Sequence, residues 1–293
     1  MLCTEQLPVM KKGVRIMEST MGIRAEKKKR PADFCMLEDH AHEDYELFYL
    51  MSGRCRIFLN HTIYHMKAGD MLLIEPYALH RTMYGITQEN ERIDVMFDQE
   101  QLCELLDRCG KAWLDRLKAH PYLPVESGRR PYVEHIFQKL MAEQQNEDVF
   151  SAIMKKNYLF ELMAFIGRHE SASRQLPNPD IQDIQEQEAP IQQAAKYIYT
   201  HFDEQLTLDT VAELVHMSPT YFSRRFKQIT GFGYKEYVNY VRLKEASRLL
   251  LETNLSLNEI ARKCGFSDSN YFGDLFKKEK GMSPRMYRRN PQM

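Results

Sequence analysis

The sequence predicts an α+β fold, with an N-terminal antiparallel β-barrel that carries helices and a C-terminal all-α domain built from two tandem helix-turn-helix units. Short stretches of alternating apolar and polar residues occupy residues 34–98, which is the pattern of strands. Three longer segments between residues 99 and 169 have the spacing of amphipathic helices. Residues 211–287 contain a diverged internal duplication. These observations divide the chain into a barrel, a helical region and a duplicated domain.

Residues 1–30 show neither pattern, and we interpret them as a leader outside the folded domains. The run Glu26-Lys27-Lys28-Lys29-Arg30 is strongly basic, and charge runs of this kind are usually solvated. This segment lacks the apolar core of a signal peptide, and no apolar stretch of the sequence has the length of a membrane span. We therefore expect a protein that does not act in a membrane.

Residues 31–120 are predicted to form the barrel. The apolar stretch Glu46–Met51 ends at the turn Ser52-Gly53, and Arg56–Leu59 is followed by the corner Asn60-His61. The segment Arg92–Phe97 closes the series of short strands. Many short strands at this spacing are typical of an antiparallel barrel or a jelly roll.

Helices are predicted for residues 99–118, with an interruption near Gly110, and for Pro131–Gln144 and Phe150–His169. The last of these has a broad apolar face. Residues 121–170 have two possible roles: their apolar face can pack on the barrel, or it can pair two subunits. We expect part of the region to hold a homodimer together.

Residues 171–189 are polar, contain Pro177 and Pro179, and have no apolar stripe, so they are interpreted as a linker. Proline is common at the first position of a helix, and Pro190 is predicted to begin the first helix of the last domain.

The domain from residue 190 to residue 293 is defined by its duplication. Ala212 matches Ala261 at a separation of 49 residues, whereas Phe226 and Gly231 match residues 50 further on, so the second copy is one residue longer. Each copy has a short apolar helix, a tight turn and a second helix that two phenylalanines anchor to the core. Such a unit is a helix-turn-helix, and two in tandem indicate a protein that binds DNA.

The side chains left on the outer face of each second helix are mostly those that bond base edges or phosphates. The candidates for DNA contact are Thr220, Ser223, Arg224, Lys227, Ser269, Asn270 and Lys277. We expect most of the base reading from the first copy. Residues 191–293 contain 16 Lys and Arg against 11 Asp and Glu, a net charge of +5, whereas the first 190 residues contain 24 against 30, a net charge of −6. This asymmetry favours a DNA-binding domain joined to a domain with another task.

The spacing from Ile260-Ala261 through Gly265-Phe266-Ser267 and Tyr271-Phe272 to Ser283-Pro284 and Tyr287-Arg288 resembles the motif of AraC/XylS-type transcription regulators. The resemblance covers about residues 190–290. It implies that two helix-turn-helix units, joined by a long helix at Lys235–Glu252, enter successive major grooves of promoter DNA. It also implies a homodimer, and a contact with RNA polymerase if the protein is an activator.

A second resemblance concerns the barrel. The spacing of His40, His42 and Glu46, followed by Gly69-Asp70 and then His80, is similar to the two motifs of the cupin barrel. In cupins these four positions hold a divalent metal, and the donor types suit Zn, Fe, Mn or Ni. The glycine of the second motif lies seven residues before Pro76, which departs from the metal-enzyme pattern.

Three interpretations of His40, His42, Glu46 and His80 stay open: a polar lining bonded to itself, the binding site of a small-molecule effector such as a carbohydrate, or a metal site. We expect the effector site first. A metal-binding cupin enzyme or a metal sensor joined to a DNA-binding domain is the alternative. Outside this cluster no nucleophile, general base or cofactor-binding loop is recognisable, so we expect no enzymatic activity. The six cysteines form no CxxC pair and no zinc-finger spacing, as is typical of reduced thiols in the cytoplasm.

Overall fold

The computed structural model describes residues 15–17, 22–30, 40–84, 89–146, 148–169 and 182–289. Within these ranges the N-terminal domain contains two five-stranded sheets and four α-helices, and the C-terminal domain contains seven α-helices. The strands are β1 (Arg15–Met17), β2 (Ile23–Arg30), β3 (His40–His42), β4 (Tyr45–Ser52), β5 (Arg54–Leu59), β6 (Thr62–Lys67), β7 (Asp70–Ile74), β8 (His80–Tyr84), β9 (Asn90–Phe97) and β10 (Tyr122–Pro124). The first sheet has the order β1-β3-β8-β5-β6 and the second the order β10-β7-β4-β9-β2.

The two sheets face each other across an apolar core. Phe48 and Leu50 of β4 share this core with Cys55 and Ile57 of β5 in the other sheet. The intervening side chains of β4, such as Leu47, point to the opposite face of the second sheet because side chains alternate along a strand. The predicted α+β class is confirmed, and the predicted barrel takes the form of two facing sheets.

Four helices follow β9: α1 (Cys103–Cys109), α2 (Lys111–Ala119), α3 (Arg130–Glu143) and α4 (Ser151–His169). They cover the outer face of the second sheet, where Leu159, Leu162, Met163 and Ile166 of α4 are buried with residues of β4 and β9. The predicted break at Gly110 separates α1 from α2. Most of the apolar face predicted on α4 therefore packs on the sheet. One strand, β10, lies in the region predicted to be helical and pairs with β7.

The leader prediction is wrong for residues 23–30. Strand β2 pairs antiparallel with β9 along its whole length, and Ile23 and Ala25 are buried in the core. The basic run lies on this strand at the edge of the second sheet, where charged residues block further strand pairing. The Lys28 ammonium lies 3.2 Å from the Asp94 carboxylate, and Lys27 lies 3.1 Å from Glu91. The basic run did not indicate a strand because the carboxylates that pair with its lysines lie on β9, far away in the sequence.

The linker prediction is wrong for residues 182–189, whereas residues 170–181 lie outside the described residues. Helix α5 spans Gln182–Thr200 and continues through Pro190, which was predicted to begin it. Glu188, only 4% exposed, forms an ion pair with Arg56 of β5, and its carboxylate lies 3.0 Å from the His65 imidazole of β6. Glu188 is thus held by residues of the first sheet, which the local sequence does not reveal.

The predicted helix-turn-helix units are present. The first consists of α6 (Leu208–Leu214) and α7 (Pro219–Thr230), the second of α9 (Leu257–Lys263) and α10 (Ser269–Lys280). The long helix α8 (Tyr234–Glu252) joins them, and α11 (Pro284–Arg289) follows the second unit. Gly231 ends α7 with a φ of +88°, a left-handed conformation that favours glycine.

The two domains share a hydrophobic core. Phe58 and Ile63, on the outer face of the first sheet, are buried together with Ile191 of α5, Phe232 and Tyr237. The Tyr237 hydroxyl donates a hydrogen bond of 2.6 Å to the Asn60 carbonyl. The first sheet is thus covered on both faces, by the second sheet on one side and by the DNA-binding helices on the other. Among the described residues, no helix is long and apolar enough to cross a membrane.

Replacing Glu188 by Ala should lower the free energy of unfolding by roughly 1–3 kcal/mol, because Arg56 and His65 lose their buried partner. Equilibrium unfolding in urea measures this change. The control is Glu213→Ala on α6, an exposed position where a change within about 0.5 kcal/mol is expected. Equal stability of the two variants would contradict a structural role for Glu188.

Candidate functional site

Helix α7 presents one polar stripe. Thr220, Ser223, Arg224 and Lys227 are spaced three and four residues apart, so they share a face. Thr220, Arg224 and Lys227 are exposed and Ser223 is half-buried, whereas Phe222 on the other side is fully buried. The Arg224 guanidinium carbon lies 5.6 Å from the centre of the exposed Tyr221 ring, a contact that restrains the long side chain.

Helix α10 repeats this arrangement. Asn270 and Lys277 are exposed, and Ser269 is half-buried at the first position of the helix. The Asp268 carboxylate caps the helix by accepting a hydrogen bond of 2.8 Å from the Asn270 amide. All seven residues predicted to contact DNA therefore lie on the two second helices, five of them exposed and the two serines half-buried.

The other predicted site lies between the two sheets. His42 of β3, Glu46 of β4 and His80 of β8 are buried, and their nitrogen and oxygen ligand atoms all lie within 4.8 Å of one another. One Glu46 oxygen is 2.9 Å from His42 Nε2 and 3.5 Å from His80 Nε2. The backbone of His40 is paired opposite His80, but its side chain lies outside the described residues. The structure thus brings together three of the four predicted residues.

Backbone carbonyls orient both imidazole rings. His42 Nδ1 lies 2.6 Å from the Asp44 carbonyl, and His80 Nδ1 lies 2.9 Å from the Ala78 carbonyl. A carbonyl accepts only, so each Nδ1 carries a proton and each Nε2 is directed at the carboxylate. An unprotonated Nε2 would set its lone pair against the carboxylate oxygen. A proton or another cation between them removes this repulsion.

This geometry shifts the pKa values of His42 and Glu46. Burial opposes the charged form of His42, but the hydrogen bond and charge of Glu46 outweigh it and raise the His42 pKa. Burial likewise opposes ionisation of Glu46, yet the hydrogen bonds from His42 and His80 hold its pKa well below the usual range. The cluster therefore favours a carboxylate that faces positive charge.

Sequence reasoning missed further polar residues that are buried in the same domain, among them Thr82, Tyr84, Arg92 and Asp94. Arg92 Nη2 lies 2.9 Å from the Asp94 carboxylate. Burial, and then the charge of Glu46, raise the Asp94 pKa to about 6. Among the described residues, Arg92 Nε and Asp94 Oδ1 are buried without a hydrogen-bond partner. The alternating pattern Arg92-Ile93-Asp94-Val95 could have indicated these buried charges, because Arg92 and Asp94 share one face of a strand and the residues that alternate with them are apolar.

The three-residue cluster also suits a divalent metal by its donor set. Two imidazole nitrogens and a carboxylate are ligands for Zn, Fe, Mn or Ni, and ligating histidines usually donate their other N–H to a carbonyl or carboxylate. Both rings meet that condition through Asp44 and Ala78. His42, Glu46 and His80 would hold such a metal.

One segment connects this cluster to the DNA-binding helices. In β8, His80 belongs to the cluster, and the next residue, Arg81, donates a hydrogen bond of 2.7 Å from Nη1 to the Gly231 carbonyl at the end of α7. The Tyr77 amide donates to the His42 carbonyl at 2.7 Å, and the Tyr77 carbonyl accepts from the Tyr240 hydroxyl of α8. Residues 77–81 therefore contact the polar cluster on one side and α8 and the end of α7 on the other.

Comparisons with known proteins agree with both parts of the chain. Residues 29–163 match the model of the AraC-like ligand binding domain, and residues 211–290 match that of the helix-turn-helix domain. The transcriptional regulator YisR of Bacillus subtilis is 27% identical over 84% of this chain and 85% of that protein. The transcriptional activator RhaS of Escherichia coli strain SE11 is 27% identical over 87% of each chain. The regulator YijO of Escherichia coli K12 is 38% identical over 41% of this chain and 42% of that protein.

The family matches agree with the division observed in the structure, in which two facing sheets and their helices precede two helix-turn-helix units. The first matched domain contains the residues of the polar cluster, and the second contains the residues of the two exposed stripes. The chain belongs to the AraC family of transcription regulators, with a ligand-binding domain in front of its DNA-binding domain.

Proposed function

We propose that a small polar effector binds between the two sheets at His42, Glu46 and His80 and thereby controls how the two helix-turn-helix units bind a promoter. The observation that carries this proposal is the adjacency of His80 and Arg81, because one residue belongs to the buried cluster and the next contacts the end of α7. A ligand that moves His80 also moves the backbone that positions Arg81.

A carbohydrate is the effector class that we favour. Sugar hydroxyls both donate and accept hydrogen bonds, so they are matched by an interior that contains carboxylates together with imidazole and guanidinium groups. Arg92 Nε and Asp94 Oδ1 would gain hydrogen-bond partners from such a ligand. The bond between the Tyr77 amide and the His42 carbonyl gives the effector a second route to α8.

For DNA, we infer that α7 and α10 enter the major groove. Thr220, Ser223 and Arg224 would contact bases, with Ser269 and Asn270 as their counterparts on α10, and Lys227 and Lys277 would contact phosphates. The exposed polar stripes support this assignment. The name of the relative RhaS favours activation, in which case RNA polymerase is a further partner. A protein with these partners acts in the cytoplasm.

We infer a homodimer that forms at the turn between α3 and α4. Val149, Phe150 and Ile153 are 81%, 64% and 57% exposed there, although side chains of this size usually find apolar contact. A second copy of the chain would cover them, and pairing two modestly basic DNA-binding domains raises the affinity for a site with two halves.

The second candidate is a metal sensor, which the donor geometry of His42, Glu46 and His80 favours. In that case the metal supplies the positive charge that Glu46 faces. The metal would act on the DNA-binding domain by the same route as a small effector, because His80 still precedes Arg81 in the chain. A cupin enzyme with a DNA-binding domain is not favoured, since the relatives YisR and RhaS, which align over most of the chain, are named as transcription regulators.

Replacing Arg224 by Ala should cost roughly 1–3 kcal/mol of binding to the specific operator for each DNA-binding domain, with a smaller effect on unrelated duplexes, because a base contact is lost. Fluorescence anisotropy with operator and scrambled DNA measures both affinities. Lys227→Ala is the contrast, and it should weaken binding to every duplex and reduce the slope of log affinity against log salt by about one. Equal losses on both duplexes in Arg224→Ala would contradict the assignment.

Replacing His42 and Glu46 together by Ala should abolish the effector's influence on transcription and leave DNA binding without effector nearly unchanged. A reporter assay and anisotropy measure the two properties. The matched control replaces His120 and Glu126, both exposed, and should keep the response. Elemental analysis of the purified wild-type protein and the double variant separates the two candidates: one equivalent of metal lost on mutation indicates the sensor. A double variant that is folded and still responds normally would refute both the small-effector proposal and the metal-sensor proposal.

Replacing Phe150 and Ile153 by Glu should weaken the dimer by at least about tenfold, because two charges would enter an apolar contact. Sedimentation velocity over a range of protein concentrations measures the dissociation constant. Met286→Glu, at a position 61% exposed on α11, serves as the control and should leave assembly unchanged. A wild-type protein that is monomeric at micromolar concentration would overturn the dimer.

A further inference from the structure

Each helix-turn-helix unit has a hydrophobic core of its own, and helix α8 passes from one core into the other. Val241 is the last residue of α8 that is buried in the core of the first unit, together with Phe222 of α7. Leu243 is buried in the core of the second unit, together with Phe272 of α10. Arg242 lies between these two positions of α8, where the helix leaves one core and enters the other.

The Arg242 guanidinium joins α8 to the segment that follows α5. Its Nε donates a hydrogen bond of 2.8 Å to the Phe202 carbonyl, and its Nη2 donates one of 2.8 Å to the Glu204 carbonyl. This segment leads into α6, and the Phe202 side chain packs on the core of the first unit. Because a guanidinium is planar, two carbonyls that accept from it also fix its direction.

The same guanidinium contacts the turn of the second unit. Its carbon lies 5.6 Å from the centre of the Phe266 ring, which is buried in the second core. Gly265, just before this ring, has a φ of +76°, and a Cβ there would lie 2.5 Å from the Phe202 carbonyl oxygen and 3.0 Å from Arg242 Nη2. The turn thus approaches the segment after α5 as closely as a glycine allows. Arg242 contacts both units at this approach.

The angle between the two units depends on more than α8, because a long helix bends. Each unit is attached to its own half of this helix by a separate core. Bending between the two cores would displace α10 relative to α7, and the displacement grows with distance from α8. The contact at Arg242 opposes this motion, because it joins the two units beside the helix.

We propose that Arg242 determines which spacing of two major-groove sites the protein accepts, because it holds α10 at one angle to α7. The inference rests on the proposed entry of both helices into the DNA. One base pair added between the two sites moves the second site by about 3.4 Å and rotates it by about 35° around the duplex. A rigid pair of units cannot follow this change, whereas units that rock on α8 follow part of it. Arg242 acts through α10 and is therefore a positioning residue.

The test compares two duplexes for each full-length variant. One is an operator selected from random duplexes by the wild-type protein, and the other has one base pair inserted between the two groove sites that footprinting locates for one chain. The spacing ratio is the dissociation constant with the insertion divided by that without it. Wild type should give a ratio of at least about ten, because the second unit loses its base contacts. Arg242→Gln should lower the ratio to about three or less.

A change that only destabilises the protein weakens binding to both duplexes alike and leaves the ratio unchanged. Arg248→Gln is the matched control, because it removes a guanidinium that bonds Glu245 and Glu252 of the same helix, and it should keep the wild-type ratio. Arg242→Lys keeps the charge but lacks the planar fork, so it should behave like Arg242→Gln and provides the test if that variant does not fold. A wild-type ratio in either folded variant would overturn the proposal.

Spin–spin distances measured without DNA make the test independent of the proposed DNA contacts. Labels on encoded ketone side chains at Gln228 of α7 and Lys278 of α10, both exposed, avoid the exposed Cys103 and Cys109. Labelled chains are diluted with unlabelled ones, so that only distances within one chain are measured. Wild type should give one narrow distance distribution, and Arg242→Gln and Arg242→Lys broader ones.

Distance distributions of equal width in wild type and the Arg242 variants would overturn the role of Arg242. A wild-type spacing ratio near one would instead refute the entry of both helices into successive grooves, and the distance distributions would then decide the role of Arg242. Failure of the DNA-binding proposal and failure of this inference are therefore distinguishable.

Discussion

The architecture depends on the first sheet, because other parts of the protein cover both of its faces. Side chains alternate along each strand of the first sheet, so one set faces the second sheet and the other set faces the DNA-binding helices. Phe58 illustrates the outward set, because it is buried against Phe232 and Tyr237, whereas its neighbour Ile57 belongs to the core between the sheets. Consecutive residues on one strand therefore contact different parts of the molecule.

The same layering explains how the domain tolerates a polar interior. Buried charges such as Glu46, Arg92 and Asp94 cost free energy unless they are paired, and here they are paired only in part. The outer face of the second sheet is covered by four helices that bury a continuous apolar core, and the outer face of the first sheet by the DNA-binding domain. Apolar burial on both outer faces stabilises the fold and offsets the cost of the polar groups between the sheets.

Much of the structure could be predicted from local patterns, and the failures share a cause. The helix-turn-helix units could be located because their anchors, such as Phe272 and Phe276, and the cap of α10 at Asp268 lie within one short segment. His42, Glu46 and His80 were found by spacing. Strand β2, the start of α5 and the cluster of Arg92 with Asp94 were missed because each is stabilised by residues far away in the sequence. Glu188 shows this directly, since its partners lie on β5 and β6.

The core shared by the two domains also limits how such regulators can be recombined. Exchanging DNA-binding domains at a boundary near residue 180 would separate Phe58, Ile63 and Leu79 from the helical surface that covers them. A chimera made in this way would expose an apolar patch on each half and would tend to aggregate. The exchangeable unit has to include the outward-facing side chains of the first sheet, so a new promoter specificity requires a redesigned sheet surface as well as a new pair of recognition helices.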